Sequence, residues 1–316
     1  MKMEQKCLRS IENCLTCTNI QECKLVEKLV KHYFENNDTN VEKSVHPKNV
    51  LNHLDGGEWL YFTKTLWTTA YPREFSHDLR KKHGANKPPR LMQRLVEFFT
   101  REDEHILDPF AGVGGTLIGA ALCARPRRCT GIEINPRWIE IYKQVIAENP
   151  GLRAYPILQG DCVQTMKKFP RDKFHFIATD PPYNTHFKQT MCTGRYAEQY
   201  ANRRTDYCMR SGDERDLANA AGYQAYLQAM EAVFKECFRV LAAGRYMAVV
   251  LRNAYQDGRY IFTHVDLAKK AASAGFIPKG EIVWYQAGTR LRPYGYPFAY
   301  VPNIAHQFIL ILRKPK

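Results

Sequence analysis

Ile106-Leu107-Asp108-Pro109-Phe110-Ala111-Gly112-Val113-Gly114-Gly115-Thr116 is the stretch whose reading decides the fold. A short apolar run ends in an acid, passes through three glycines and enters residues with helical spacing, Leu117 to Cys123. That order reads as strand, tight turn, helix. Glycines permit the turn and let a ligand approach the backbone, while the start of the helix offers unpaired amides. Glycine turns also join many strands to helices without binding anything, so the surroundings have to decide.

Working outward, the text alternates in the way of a sheet wound on both faces. Upstream lie an amphipathic helix, Leu91 to Phe99, and the strand His105 to Asp108. Downstream come a strand Cys129 to Ile134, a helix Arg137 to Glu148, and strands at Ala154 to Leu158 and Phe174 to Thr179. Helices at Tyr223 to Val240 and Val265 to Ala274 and strands at Tyr246 to Leu251, Ile282 to Tyr285 and Gln307 to Leu312 complete the pattern. Glu133 closes the second strand, where nucleotide-binding sheets place a carboxylate for ribose hydroxyls. Asp161, in Gly160-Asp161-Cys162, follows the third strand and is placed to meet an adenine amino group. Each acid alone could be a helix cap. Three of them at successive strand ends point to a nucleotide-like cofactor.

The most specific motif is Thr179-Asp180-Pro181-Pro182-Tyr183, at the end of the fourth strand. An exocyclic amino nitrogen is a poor nucleophile because its lone pair is delocalised into the ring. The Asp180 carboxylate and the Pro181 carbonyl, stiffened by two prolines, can both accept hydrogen bonds from such a group, and Tyr183 can stack on the base. A base in a duplex must leave the helix to reach them. The competing reading is a plain proline turn after a strand.

These residues resemble the S-adenosylmethionine-dependent amino methyltransferases that modify adenine or cytosine in DNA, a family common in restriction-modification systems. The resemblance runs from about Lys87 to the C-terminus. It includes Lys87-Pro-Pro-Arg-Leu91-Met92, the glycine loop, Phe238-Arg-Val-Leu-Ala-Ala-Gly244 and His306-Gln-Phe-Ile-Leu-Ile-Leu-Arg-Lys314. It implies an α/β fold, the seven-stranded Rossmann-like methyltransferase sheet with its last strand antiparallel. It implies S-adenosylmethionine at Asp108, Phe110, Gly112, Gly114, Thr116, Glu133 and Asp161, and catalysis at Asp180, Pro181, Pro182 and Tyr183. Adenine N6 is the preferred acceptor, because cytosine N4 enzymes of the family more often open the motif with serine. Two alternatives stay open: an RNA methyltransferase acting on the guanine N2 of tRNA, and a metal-bearing nucleic-acid-binding protein that keeps the methyltransferase fold as a scaffold.

Charge supports a nucleic-acid partner. The 316 residues carry a formal +14, of which +10 falls in Ser76 to Arg101 and Gln286 to Lys316. Clustered basic charge binds polyphosphates through counterion release, although a solvated basic surface has the same composition. The 39 residues 184–222 lack clear periodicity, are rich in arginine and tyrosine, and form a candidate nucleic-acid-recognition loop through Arg195, Arg203 and Arg204. Thr289 to Tyr300 interleaves basic and aromatic residues, with Arg290, Arg292 and Tyr294 as candidate contacts. The same segment could instead be a rigid hairpin covering the sheet edge.

The N-terminal piece, 1–45, is balanced in charge and reads as a helical accessory element preceding a methyltransferase domain over 46–316. Cys7, Cys14, Cys17 and Cys23 could clip zinc or an iron-sulfur cluster, stand as surface thiols, or pair under oxidation. Composition excludes a disordered or collagen-like chain. No apolar run is long enough for a membrane span and the first residues lack a secretory core, so a cytoplasmic protein is expected.

Overall fold

The computed structural model describes residues 44–182, 213–286 and 288–316. The expectations for Cys7, Cys14, Cys17, Cys23, Tyr183, Arg195, Arg203 and Arg204 lie outside the described residues. Val45–Lys316 forms one unit by itself.

The order of elements is α1 (Gly56–Phe62), β1 (Leu66–Trp67), α2 (His77–Arg80), α3 (Pro89–Phe99), β2 (His105–Asp108), α4 (Gly115–Ala121), β3 (Arg128–Glu133), α5 (Pro136–Glu148), β4 (Ile157–Gln159), α6 (Cys162–Lys167) and β5 (Phe174–Thr179). It continues with α7 (Tyr223–Val240), β6 (Leu241–Leu251), a small hairpin β7 (Ala254–Gln256) and β8 (Arg259–Ile261), α8 (Thr263–Ser273), β9 (Ile277–Tyr285) and β10 (His306–Arg313). The main sheet runs β1-β9-β10-β6-β5-β2-β3-β4. Its pairs are parallel except at β10, which is antiparallel to both β6 and β9. The seven expected strands are therefore present with the last one reversed, and the two-residue β1 adds an eighth at the edge.

The central strands β2 and β5 and the second half of β6 are buried on both sides, as helices covering both faces require. On β5, Phe176 and Ala178 join one core and Ile177 the other; on β6, Ala248 and Val250 face away from Met247, Val249 and Leu251. Helix α3 starts at Pro89, whose missing N–H costs nothing there. It buries Leu91, Met92, Leu95, Val96, Phe98 and Phe99 completely or nearly so. Phe98 stacks on Phe62 of α1, and Phe99 stacks on Phe176 at 5.0 Å, which fastens the N-terminal part of the unit to the sheet.

The boundaries differ from expectation where a side chain has a tertiary task. The third strand was expected at Ala154 to Leu158 and is Ile157–Gln159. Tyr155 is withdrawn from it: its hydroxyl donates to the Arg127 carbonyl (2.7 Å), and its N–H donates to the Tyr142 hydroxyl of α5 (3.0 Å). β9 starts five residues earlier than expected, at Ile277, because its backbone already pairs there with Leu312 and Arg313 of β10; its first four residues are exposed and carry no apolar alternation that would announce them. The basic stretch Ser76 to Arg101 is not a uniform cationic surface, since Arg80 and Lys87 are 1 % and 7 % exposed.

Candidate active site

From β2 the chain moves outward through β3 to β4, then returns to β5 on the other side of β2. The β2–β5 junction is thus a switch point, where open α/β sheets leave a crevice at the carboxyl ends of the strands. Asp108 ends β2 and Asp180 follows β5, so the two acids stand on neighbouring strands at this point.

Asp108 is 3 % exposed and holds the crevice together. Its Oδ1 accepts from the Phe110 N–H (3.0 Å) and the Thr179 hydroxyl (2.7 Å), and its Oδ2 from the Thr116 hydroxyl (2.5 Å). One carboxylate thereby ties the glycine loop, the first turn of α4 and the end of β5. Burial pushes its carboxyl up to about 6, with the neighbouring Asp180 a smaller contribution, against the lowering effect of the hydrogen bonds. Thr116 is 2 % exposed and gives its hydroxyl hydrogen to Asp108.

The loop's shape depends on two glycines with positive φ, Gly112 at +52° and Gly114 at +81°. A side chain on Gly114 would come within 2.1 Å of the Tyr142 ring. The Gly112 N–H donates to Glu133 Oε2 and the Asn135 N–H to Oε1, both at 2.8 Å, so Glu133 clamps the loop from the next strand. Burial pushes Glu133 up to about 7, aided by the Asp216 and Asp108 carboxylates. Asp161 caps α6 by accepting from the Gln164 N–H (2.8 Å), which is the cap foreseen for each acid alone.

These residues fit the adenosyl cofactor. A left-handed glycine loop leaves its backbone open to close approach, and Glu133 is a buried carboxylate that among the described residues forms no ion pair, and it gains from donated hydroxyl hydrogens. Asp180 and Pro182 are half-buried and Pro181 is buried. Among the described residues no group of His, Cys, Asp or Glu is arranged to hold a metal. No described helix is long and apolar enough to cross a membrane.

Sequence reasoning missed three participants. Lys87 meets Asp180 (2.5 Å), a pair formed across 93 residues that no local pattern announces. Asp216, 7 % exposed, caps a short 3₁₀ turn, Leu217–Asn219, and acts electrostatically on Glu133. Asn303 clasps Arg292, accepting from its N–H and donating to its carbonyl, both at 2.8 Å. That clasp and the Gln286 N–H bond to Ala305 (2.8 Å) close a hairpin between β9 and β10. The hairpin follows β9 at the end of the sheet where Asp180 follows β5, since the two strands run the same way, and it shows Phe298 and Tyr300 to solvent at 91 % and 87 % exposure. Arg290 is exposed, while Arg292 and Tyr294 are half-buried.

The chain is similar to several known proteins. A tRNA (guanine(10)-N2)-dimethyltransferase of Pyrococcus abyssi is 34% identical over 135 residues, 40% of each chain. The type II methyltransferase M2.DpnII of Streptococcus pneumoniae is 31% identical over 113 residues, 35% of this chain and 40% of that one. The chain thus spans about two-fifths of the length of these curated relatives. The crystal structure of TrmN from Thermus thermophilus aligns with a TM-score of 0.45 and 15% identity, covering 72% of this chain and 48% of that one. A family described as DNA methylase matches residues 11–144 and 174–316, and with that extent of agreement the chain belongs to this N6/N4 family of S-adenosylmethionine-dependent methyltransferases.

Proposed function

We propose that this chain methylates an exocyclic amino nitrogen of a base in DNA, with adenine N6 the preferred acceptor and cytosine N4 the alternative. The observation that carries the reading is the Asp180-Pro181-Pro182 turn, set beside the glycine loop at the switch point of the sheet. The Asp180 carboxylate and Pro181 carbonyl each accept one N–H of the amino group. Held in this way, the nitrogen pyramidalises and turns its lone pair out of the ring plane. S-adenosylmethionine, when bound, supplies a methyl group already activated on a sulfonium. The chain's own contribution is alignment, for which well-oriented reactants gain on the order of 7 to 11 kcal/mol. No strong base is needed, since the nitrogen sheds its proton readily once it has become cationic.

A covalent route of the cytosine carbon-5 kind has no support here. It needs a thiolate in a Pro-Cys pair, and the sequence has no such pair. The described cysteines Cys123, Cys129, Cys162 and Cys237 are free, and burial pushes all four thiols up, Cys123 to about 12.

The DNA reading draws on the family description and on type II methyltransferases such as M2.DpnII. We assign the hairpin 289–303 to the nucleic-acid face: Arg290 for phosphate, Phe298 and Tyr300 for stacking, at the carboxyl end of the sheet where Asp180 follows β5. A second reading, methylation of guanine N2 in tRNA, is favoured by the Pyrococcus relative. The test offers labelled methyl donor with duplex DNA and with total tRNA, followed by mass spectrometry of the nucleosides. N6-methyladenine from DNA is the expected product; N2-methylguanine from RNA alone replaces the first reading with the second.

A further inference from the structure

Lys87 is a charged residue that the mechanism above does not use, and it is 7 % exposed. Its Nζ lies 2.5 Å from Asp180 Oδ2 and 3.3 Å from the Ala85 carbonyl. Both side chains of the pair are largely withdrawn from water, at 6 % and 15 % exposure.

The backbone around Lys87 is fixed with equal care. Its carbonyl accepts from Nη2 of the buried Arg80 (3.1 Å). The same carbonyl lies over α4, where a side chain on Gly115 would approach it to 3.2 Å. Four residues earlier, the ring of His83 rests against Gly112, where an added Cβ would meet it at 3.3 Å, and meets Trp138 edge-on at 4.8 Å. Burial, with the Lys87 charge second, lowers His83 to about 4, so it packs there as a neutral ring. One segment, 83–87, therefore touches the glycine loop at two glycines and the amino-acceptor motif at Asp180.

An ion pair this buried is a poor stabilising device, because removing two charges from water costs about as much as their attraction returns. What it supplies is geometry. A carboxylate has two oxygens and about four acceptor sites, so an ammonium on Oδ2 restricts rotation of the group and remains compatible with a bond from a base. We propose that Lys87 is a positioning residue for methyl transfer: it acts through Asp180, setting the orientation in which that carboxylate receives the amino group, and ties this orientation to the cofactor loop. The inference rests on the role given to Asp180 above. A misplacement of about 1 Å costs up to roughly 100-fold in rate, which sets the scale of the effect.

The experiment is a double-mutant cycle on the full chain, with Lys87→Met and Asp180→Asn alone and together. Its readouts are kcat at saturating cofactor and nucleic acid, the Kd for S-adenosylmethionine by calorimetry, and Tm. Lys87→Met is expected to lower kcat roughly 10- to 100-fold with the cofactor Kd changed less than about threefold. In the Asp180→Asn background the same change should cost less than about threefold more, because the group it orients is already impaired. Lys87→Arg, which keeps the charge on a different frame, should fall between wild type and Lys87→Met.

Wild-type kcat in Lys87→Met, or losses that multiply in the double variant, overturns the positioning role and leaves Asp180 as read. Wild-type kcat in Asp180→Asn overturns the reading of Asp180 and this inference together. If Lys87→Met fails to fold, the cycle is run with Lys87→Arg; an equal proportional loss with and without Asp180 then overturns the proposal.

Discussion

At the β2–β3–β4 end of the sheet edge, Asp108, Glu133 and Asp161 all accept hydrogen bonds from the protein's own backbone or hydroxyls. At the β9–β10 end the residues proposed for recognition stand in solvent: Phe298 and Tyr300 are exposed on the hairpin that the Asn303 clasp closes. The first region was organised by folding, and its shape is set before anything binds. The second presents large apolar rings that water solvates badly, and their stabilisation waits for a partner. On the proposed function, the comparison assigns alignment to the interior and recognition to the rim.

The sharpest way to break this contrast is Asp180→Ala. Turnover is expected to fall roughly 100- to 1000-fold with cofactor affinity nearly unchanged, as for the loss of one preorganised hydrogen-bonding group elsewhere. Rapid-quench methylation beside calorimetry measures both, and wild-type turnover would sink the assignment. On the rim, Phe298→Ala with Tyr300→Ala should weaken nucleic-acid binding roughly 5- to 100-fold, on the basis of stacking worth about 1 to 3 kcal/mol per base. Tm should not move, because neither ring is packed; a large drop in Tm with unchanged affinity would make the hairpin a structural cover.

Gly114→Ala probes the interior. The positive φ and the Tyr142 ring together should cost about 1 to 3 kcal/mol in a urea titration. Cofactor affinity should fall with it. A smaller effect is expected from pH. Burial holds Glu133 near 7 in place of the usual 4.5, so the native state keeps this proton longer than the unfolded chain does. Stability without ligand should therefore decline as pH rises from about 4.5 to 7. A bound ribose favours the carboxylate, so cofactor affinity should improve several-fold between pH 6 and 8, with proton release detected as buffer-dependent heat. A flat profile would detach Glu133 from cofactor binding.

The interior region was readable in the sequence because local pattern and tertiary task coincide there. Asp108, the glycine turn and α4 are contiguous, and the apolar runs of β2, β5 and β6 follow from burial on both faces. Legibility failed where a residue's partner is remote. Lys87 finds Asp180 across 93 positions, and Tyr155 leaves its strand for a contact with Arg127. Asp161 carries a short-range ambiguity of another kind, since capping a helix and facing a ligand require the same residue at the same strand end. The hairpin's composition was legible and its exposure was not. A run of Pro, Tyr and Arg is compatible with covering an edge or leaving it, and the Asn303 clasp that decides the shape lies eleven residues from Arg292.

The sheet's two margins are unequal in origin and alike in effect. One ends in the two-residue Leu66–Trp67, the other in the three-residue Ile157–Gln159. Each offers a short ladder of unpaired backbone groups to a neighbouring molecule, which is one of the ways sheet proteins avoid zipping together at high concentration. For a chain of formal charge +14, brevity at both borders works in the same direction as charge repulsion, against self-association by strand exchange.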